Sequence, residues 1–214
     1  MITSINPFTG KEIASVKEYS SSQIDKALET SVKGFEKWRK TSFKERASLL
    51  KKAAEELKNN KKIYAETITR EMGKPISQSI AEVEKCAWVC EYYAENGGEH
   101  LANEIIETDA YKSYVSFEPL GVILAVMPWN YPFWQVFRFA APALMAGNTA
   151  VLKHASNVMQ SANNIQKIFE NAGFPKGCFQ NIPVGSDKVE EIIKDSRIKA
   201  VTLTEKGLIM SLQF

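Results

Sequence analysis

The chain has 214 residues, 44% of them hydrophobic and 24% charged, with 27 Lys and Arg against 25 Asp and Glu for a formal net charge of +2. This is the composition of a globular protein long enough to bury a sizeable core, and it excludes a disordered tail, a collagen-like repeat and a disulfide scaffold. So even a balance of charge supplies no global field for nucleic acid or an anionic membrane, and neither is expected as a partner.

The first residues, Met1 to Lys11, lack a basic start followed by an apolar run, so no signal peptide is read and a cytoplasmic location is expected. Residues 1–104 are mostly amphipathic helix. Ile24, Ala27, Leu28, Phe35 and Trp38 recur at helical spacing behind the serine cluster Ser20 to Ser22. Ser42 and Glu45 have the spacing of a capping box ahead of Ala47, Leu50, Ala54 and Leu57. Tyr64, Ile68 and Met72 extend the pattern until Gly73 and Pro75 stop it. A fourth helix carries Ile76, Ile80, Val83, Ala87 and Cys90 and ends near Gly97 and Gly98.

Residues 105–118 read as a β-hairpin: Ile105 and Ile106, then the alternating Tyr111, Ser113, Val115 and Phe117, with Asp109 and Ala110 at the bend. From 119 to 204 strands and helices alternate. Strands are expected over 121–126, 149–152, 178–182 and 198–204, and helices over 132–145, 157–172 and 188–194. Short apolar strands separated by helices imply an α/β fold with a parallel sheet covered on both faces. Between Pro119 and Leu152 the only charged side chain is Arg138, but four prolines interrupt the stretch. A buried core around a cleft therefore fits better than a membrane span.

Cys86, Cys90 and Cys178 make an odd count without paired spacing and have no histidine nearby. That argues against a disulfide framework and against a structural zinc site, and no metal is expected. Cys86 and Cys90 share a helical face and read as small buried hydrophobes.

Open parallel sheets bind ligands beyond the carboxyl ends of their strands. Two strand ends here carry unusual residues. In Met127-Pro128-Trp129-Asn130-Tyr131-Pro132, two prolines fix the backbone around one polar amide. Asn130 there is either an oxyanion donor or the cap of the helix that follows. Lys153-His154-Ala155-Ser156 follows the second strand. Its lysine suits a phosphate or a ribose hydroxyl beside a helix N-terminus, or is an ordinary surface lysine. His154 reads as a loop histidine rather than a base. Arg138, if buried, needs an anionic partner, either a substrate carboxylate or a structural Asp or Glu. Neither common glycine fingerprint for nucleotides is present.

At these residues the chain resembles the aldehyde dehydrogenase family. The resemblance rests on Pro128-Trp129-Asn130 with a following aromatic and Pro132, on Ala146-Gly147-Asn148, on Leu152-Lys153, and on Asn171-Ala172-Gly173-Phe174-Pro175-Lys176-Gly177. Asn6-Pro7-Phe8-Thr9-Gly10 is similar to its opening turn and Glu71-Met72-Gly73-Lys74-Pro75 to its helix-end motif. Within the family, Asn130 to Val136 and Lys153-His154-Ala155 are most similar to the bacterial NAD(P)-dependent succinate-semialdehyde dehydrogenases.

The resemblance implies an incomplete Rossmann-like parallel sheet, the N-terminal portion (1–204) of a cofactor-binding domain, with the catalytic domain absent and residues 205–214 an aberrant tail. It implies oxidation of a small-molecule aldehyde, with NADP or NAD as cofactor and assembly into a homo-oligomer or other self-association. By position, Asn130 would donate to the oxyanion. Met127, Pro128, Trp129, Lys153, His154, Ala155, Ser156, Gly185 and Thr204 would lie at the cofactor. Ser156 stands where NAD-preferring members carry a glutamate that repels a 2′-phosphate, so NADP should be tolerated. Arg138 and Trp134 would meet the substrate, Arg138 through its distal carboxylate. The family's nucleophilic cysteine and general-base glutamate have no counterpart here, so the chain by itself is expected to be inactive.

Overall fold

The computed structural model describes residues 1–204; the tail expected over 205–214 lies outside the described residues. The chain opens with an antiparallel ribbon, β1 (Ile2–Ile5) and β2 (Glu12–Val16), which the helical reading of this region missed. Its turn is built by Asn6, whose Oδ1 accepts from the amides of Phe8 and Thr9 at 2.9 and 3.2 Å, and by Gly10 at φ 67.

Helix α1 (Ser21–Trp38) starts at a reciprocal Ser20–Gln23 capping box, and α2 (Phe43–Asn59) at the expected Ser42–Glu45 box. The chain then breaks at Asn60 before α3 (Lys61–Met72), which ends on the left-handed Gly73. Pro75 precedes the long α4 (Ile76–His100). The expected hairpin is present but pairs only two residues a side, β3 (Glu104–Ile105) with β4 (Tyr114–Val115). Both strands are exposed, so no packed face extends the ladder.

The second part is a parallel sheet of β5 (Val122–Met127), β6 (Thr149–His154), β7 (Phe179–Asn181) and β8 (Ile198–Leu203), ordered β7-β6-β5-β8. Helices α5 (Trp134–Met145), α6 (Met159–Asn171) and α7 (Val189–Ile193) join them. Alternating side chains divide between two cores. Val122, Leu124 and Val151 pack with Leu28 of α1 and Ile192 of α7. Ala125, Met127, Ala150, Leu152 and Phe179 face the other way, against α2 to α6. The sheet is covered on both faces, as the strand pattern predicts.

Along the edge strand β7, the Asn181 amide donates to Oε1 of Gln166 at 2.7 Å rather than to another strand. The strand β6 runs two residues beyond its expected end, so Lys153 and His154 lie within the sheet and not after it. Among the described residues no helix is long and apolar enough to cross a membrane.

Candidate active site at the strand ends

Because β5, β6, β7 and β8 are parallel, the segments that follow them gather at one end of the sheet. The ends of β5 and β6 are in register, Met127 opposite His154. The amide of Ala155 donates to the carbonyl of Met127 at 3.0 Å, and that of Thr204 to Val126 at 3.1 Å. His154 is fully buried. Its Nδ1 accepts from the Ala155 amide at 2.9 Å, and Nε2 pairs with the Pro132 carbonyl at 2.8 Å. One ring nitrogen therefore accepts and the other donates, the pattern of a neutral imidazole. Burial pushes its pKa down to about 4, against the bond to Pro132. His154 is thus a brace between β6 and the loop after β5.

That loop carries Asn130, and the structure decides against the cap reading. Phe133 occupies the N-cap position of α5 and no side-chain bond of its own caps the helix. The acceptor comes from α4: Oε1 of Glu82 takes the amides of Phe133 and Trp134 at 2.9 and 3.0 Å. The other carboxylate oxygen of Glu82 pairs with the ammonium of Lys74 in a buried ion pair. Nζ of Lys74 also lies 3.7 Å from the centre of the Tyr131 ring. Asn130 is half-buried, and its Oδ1 is buried with no hydrogen-bond partner. Its carboxamide is thus held on a braced loop without being used by the fold.

Lys153 is only 8% exposed and enters none of the ion pairs formed among the described residues, so it is not an ordinary surface lysine. Burial lowers its pKa, with the Asp187 carboxylate pulling the other way. Ser156 is exposed at the start of a short turn, Ser156–Val158, that leads into α6. The helix start that follows Lys153 is itself occupied, so the amides of α6 offer no anion site beside it. Glu71, 2% exposed at the end of α3, accepts from the amides of Gln160 and Ser161 at 2.7 and 2.8 Å. It also accepts from the hydroxyls of Ser161 and Ser4, both at 2.7 Å. Burial raises the Glu71 pKa in spite of these four bonds.

The remaining expected residues divide by position. Met127 is buried, Pro128 and Ala155 are half-buried, and Trp129 is exposed, all at the ends of β5 and β6. Gly185 follows β7 in extended backbone, with the Asp187 carboxylate close against the position a Cβ would take. Thr204 closes β8. Trp134 and Arg138 sit four apart on one face of α5. Arg138 is exposed, so the condition under which it would need a buried anionic partner does not arise: the apolar run around it is a helix with one open face.

The three cysteines are buried, Cys86 and Cys90 within α4 and Cys178 just before β7, at the end of the sheet away from Asn130. Burial raises all three thiols, Cys178 to about 12, so none is poised as a thiolate. Sequence reading missed Glu71, Lys74 and Glu82. The available signal was a carboxylate and a lysine flanking Gly73 and Pro75, which had been read only as a helix end.

The model of the aldehyde dehydrogenase family matches residues 1–207. The chain is 50% identical over 203 residues to a probable succinate-semialdehyde dehydrogenase [NADP(+)] of Synechocystis sp., covering 95% of this chain and 45% of that protein. It is 43% identical over 201 residues to succinate semialdehyde dehydrogenase [NAD(P)+] Sad of Escherichia coli, covering 94% and 44%. Among solved structures, the succinic semialdehyde dehydrogenase of Streptococcus pyogenes in complex with NADP+ superposes with a TM-score of 0.90 at 34% identity, over 94% of this chain and 44% of that one. The chain therefore spans about half the length of the relatives it matches.

Proposed function

The chain belongs to the aldehyde dehydrogenase family, and we propose that it forms the cofactor-facing part of an enzyme that oxidises succinate semialdehyde to its carboxylate with NADP or NAD as acceptor. The observation that carries this reading is the pair of unengaged polar groups at adjacent strand ends: the Asn130 carboxamide on its braced loop and the buried, unpaired Lys153. The names of the similar proteins from Synechocystis, Escherichia coli and Streptococcus pyogenes support the substrate and the acceptor.

A bound nicotinamide cofactor would supply the hydride acceptor for the aldehyde carbon. Asn130 donates an amide N–H to the carbonyl oxygen as charge develops on it, an interaction of the kind worth roughly 100- to 1000-fold in kcat. Lys153 holds the ribose hydroxyls on the adenosine side, and exposed Ser156 leaves room for a 2′-phosphate. Met127, Pro128, Trp129, Ala155, Gly185 and Thr204 line that side, and His154 acts on it from beneath through the loop. Arg138, beside Trp134 on α5, takes the distal carboxylate of the substrate. None of the three buried thiols serves as nucleophile, so this chain alone performs no covalent step. The setting is cytoplasmic. The exposed Ile105, Ile106, Tyr114, Val115 and Phe117 of the hairpin region are the surface for self-association.

The test pairs this chain, co-expressed, with the remaining portion of the Synechocystis relative. Succinate semialdehyde and NADP should then give a rise in nicotinamide absorbance that Asn130→Ala lowers by roughly 100-fold or more. The chain alone should give none. Turnover by the chain alone would overturn the nucleophile argument, and a folded pair without turnover would overturn the substrate reading. A nucleotide-binding module without chemistry is the second reading, favoured by the unpaired Lys153. Calorimetric titration of the chain with millimolar NADP tests it, and absence of heat removes it.

A further inference from the structure

We propose that Lys74 and Glu82 are positioning residues that set the loop carrying Asn130; the proposal rests on the reading of Asn130 as the oxyanion donor. Three contacts fix the four residues after it. Glu82 binds the amides of Phe133 and Trp134. The Lys74 ammonium covers the Tyr131 ring. His154 holds the Pro132 carbonyl. The Phe133 side chain is fully buried against Tyr64, with ring centres 5.7 Å apart, so the loop cannot slide along α5. Asn130 then depends on residues whose positions are set from α3 and α4 as well as from His154 at the end of β6.

The pair is ill suited to a purely stabilising role. Its side chains are 6% and 1% exposed, and a buried ion pair of this kind is commonly matched or bettered by apolar residues of the same volume. What apolar residues cannot do is accept two converging amides. Glu82 therefore fixes the direction in which α5 begins, and Lys74 both neutralises Glu82 and carries the constraint one step further, onto the residue next to Asn130. Lys74 is itself fixed, between the left-handed Gly73 and Pro75.

The experiment uses the full chain labelled with 15N, its signals read by two-dimensional NMR: the Asn130 side-chain amide, and hydrogen exchange at Phe133, Trp134 and the β5 and β6 backbone. Lys74→Met with Glu82→Leu removes both charges without leaving one buried and alone. It should accelerate exchange at Phe133 and Trp134 by roughly 10- to 100-fold relative to β5 and β6, and shift or broaden the Asn130 signal. Lys74→Met with Glu82→Gln keeps a carbonyl acceptor for both amides and should restore slow exchange. Lys74→Arg alone should leave the Asn130 signal in place. Acceleration equal throughout β5, β6 and the loop would reduce the pair to general stability and overturn the proposal, as would an unmoved Asn130 signal in the Leu variant. Failure of the underlying reading looks different: Asn130→Ala would then leave turnover of the co-expressed pair intact, while the loop measurements on the free chain stand.

Discussion

The crossovers from β5 to α5 and from β6 to α6 meet the same demand with different chemistry. Neither helix is capped by its own preceding side chain. Each has early amides held by a buried glutamate from the N-terminal helices, which favours an anion at the positive end of the helix dipole. At α6, Glu71 takes four neutral donors, and the helix start is closed to anything else. At α5, Glu82 takes two amides and one ammonium, and that ammonium reaches onward to Tyr131. The first arrangement is a joint and nothing more. The second is a joint that also presents a free amide, and it is on this difference that the proposed oxyanion donor lies in the β5 crossover and the proposed cofactor-side lysine at the end of β6.

The largest break in this comparison comes from deleting either acid. Glu82→Ala strands the Lys74 ammonium in the core and should cost about 3–5 kcal/mol of folding stability. Glu71→Ala leaves four buried donors without an acceptor and should cost about 3 kcal/mol. Urea unfolding measures both, and losses below about 1 kcal/mol in each would mean that water replaces the carboxylates.

A smaller effect separates the two crossovers by pH. His154 is neutral when folded, with a pKa of about 4 against an ordinary 6.5. The unfolded chain therefore takes up a proton that the folded chain refuses, and stability should fall by about 2.5 kcal/mol as pH drops from 6.5 to 4. Glu71 has the opposite sign. Its raised pKa means the folded chain holds the proton longer, so its contribution declines as pH rises above the usual carboxylate range. His154→Gln, which keeps a donor for the Pro132 carbonyl, should abolish the acid slope in urea midpoints while Glu71 variants retain it.

The smallest change is at Lys153. Its burial without an ion pair is a cost to the fold, so Lys153→Met should leave stability unchanged or raise it by about 1 kcal/mol. The same substitution should weaken NADP binding roughly tenfold by calorimetry. Loss of stability without loss of affinity would move Lys153 from the cofactor to the core.

The sequence made the local features legible and hid the distant ones. The Ser42–Glu45 box, the Gly73 stop and the alternating strands are written in neighbouring residues and stand in the structure as expected. Burial of single polar residues is not local. Arg138, surrounded by apolar letters, is exposed because α5 leaves one face open. Lys153 and His154, polar letters after an apolar run, are buried because the parallel neighbour β5 continues beside them. The candidate site residues at the strand ends were readable from the two motifs. The glutamates that anchor them were not, because Glu82 is 51 residues from Phe133 and Glu71 is 90 from Ser161.

The Gln166 side chain that occupies the outer amide of Asn181 has a consequence for how this sheet can grow. One border is sealed by a residue of its own helix. The opposite border, β8, is bonded along a single flank among the described residues. An extra ribbon, whether from the same polypeptide or a foreign one, would have to displace that contact at β7, which favours lateral extension beside β8.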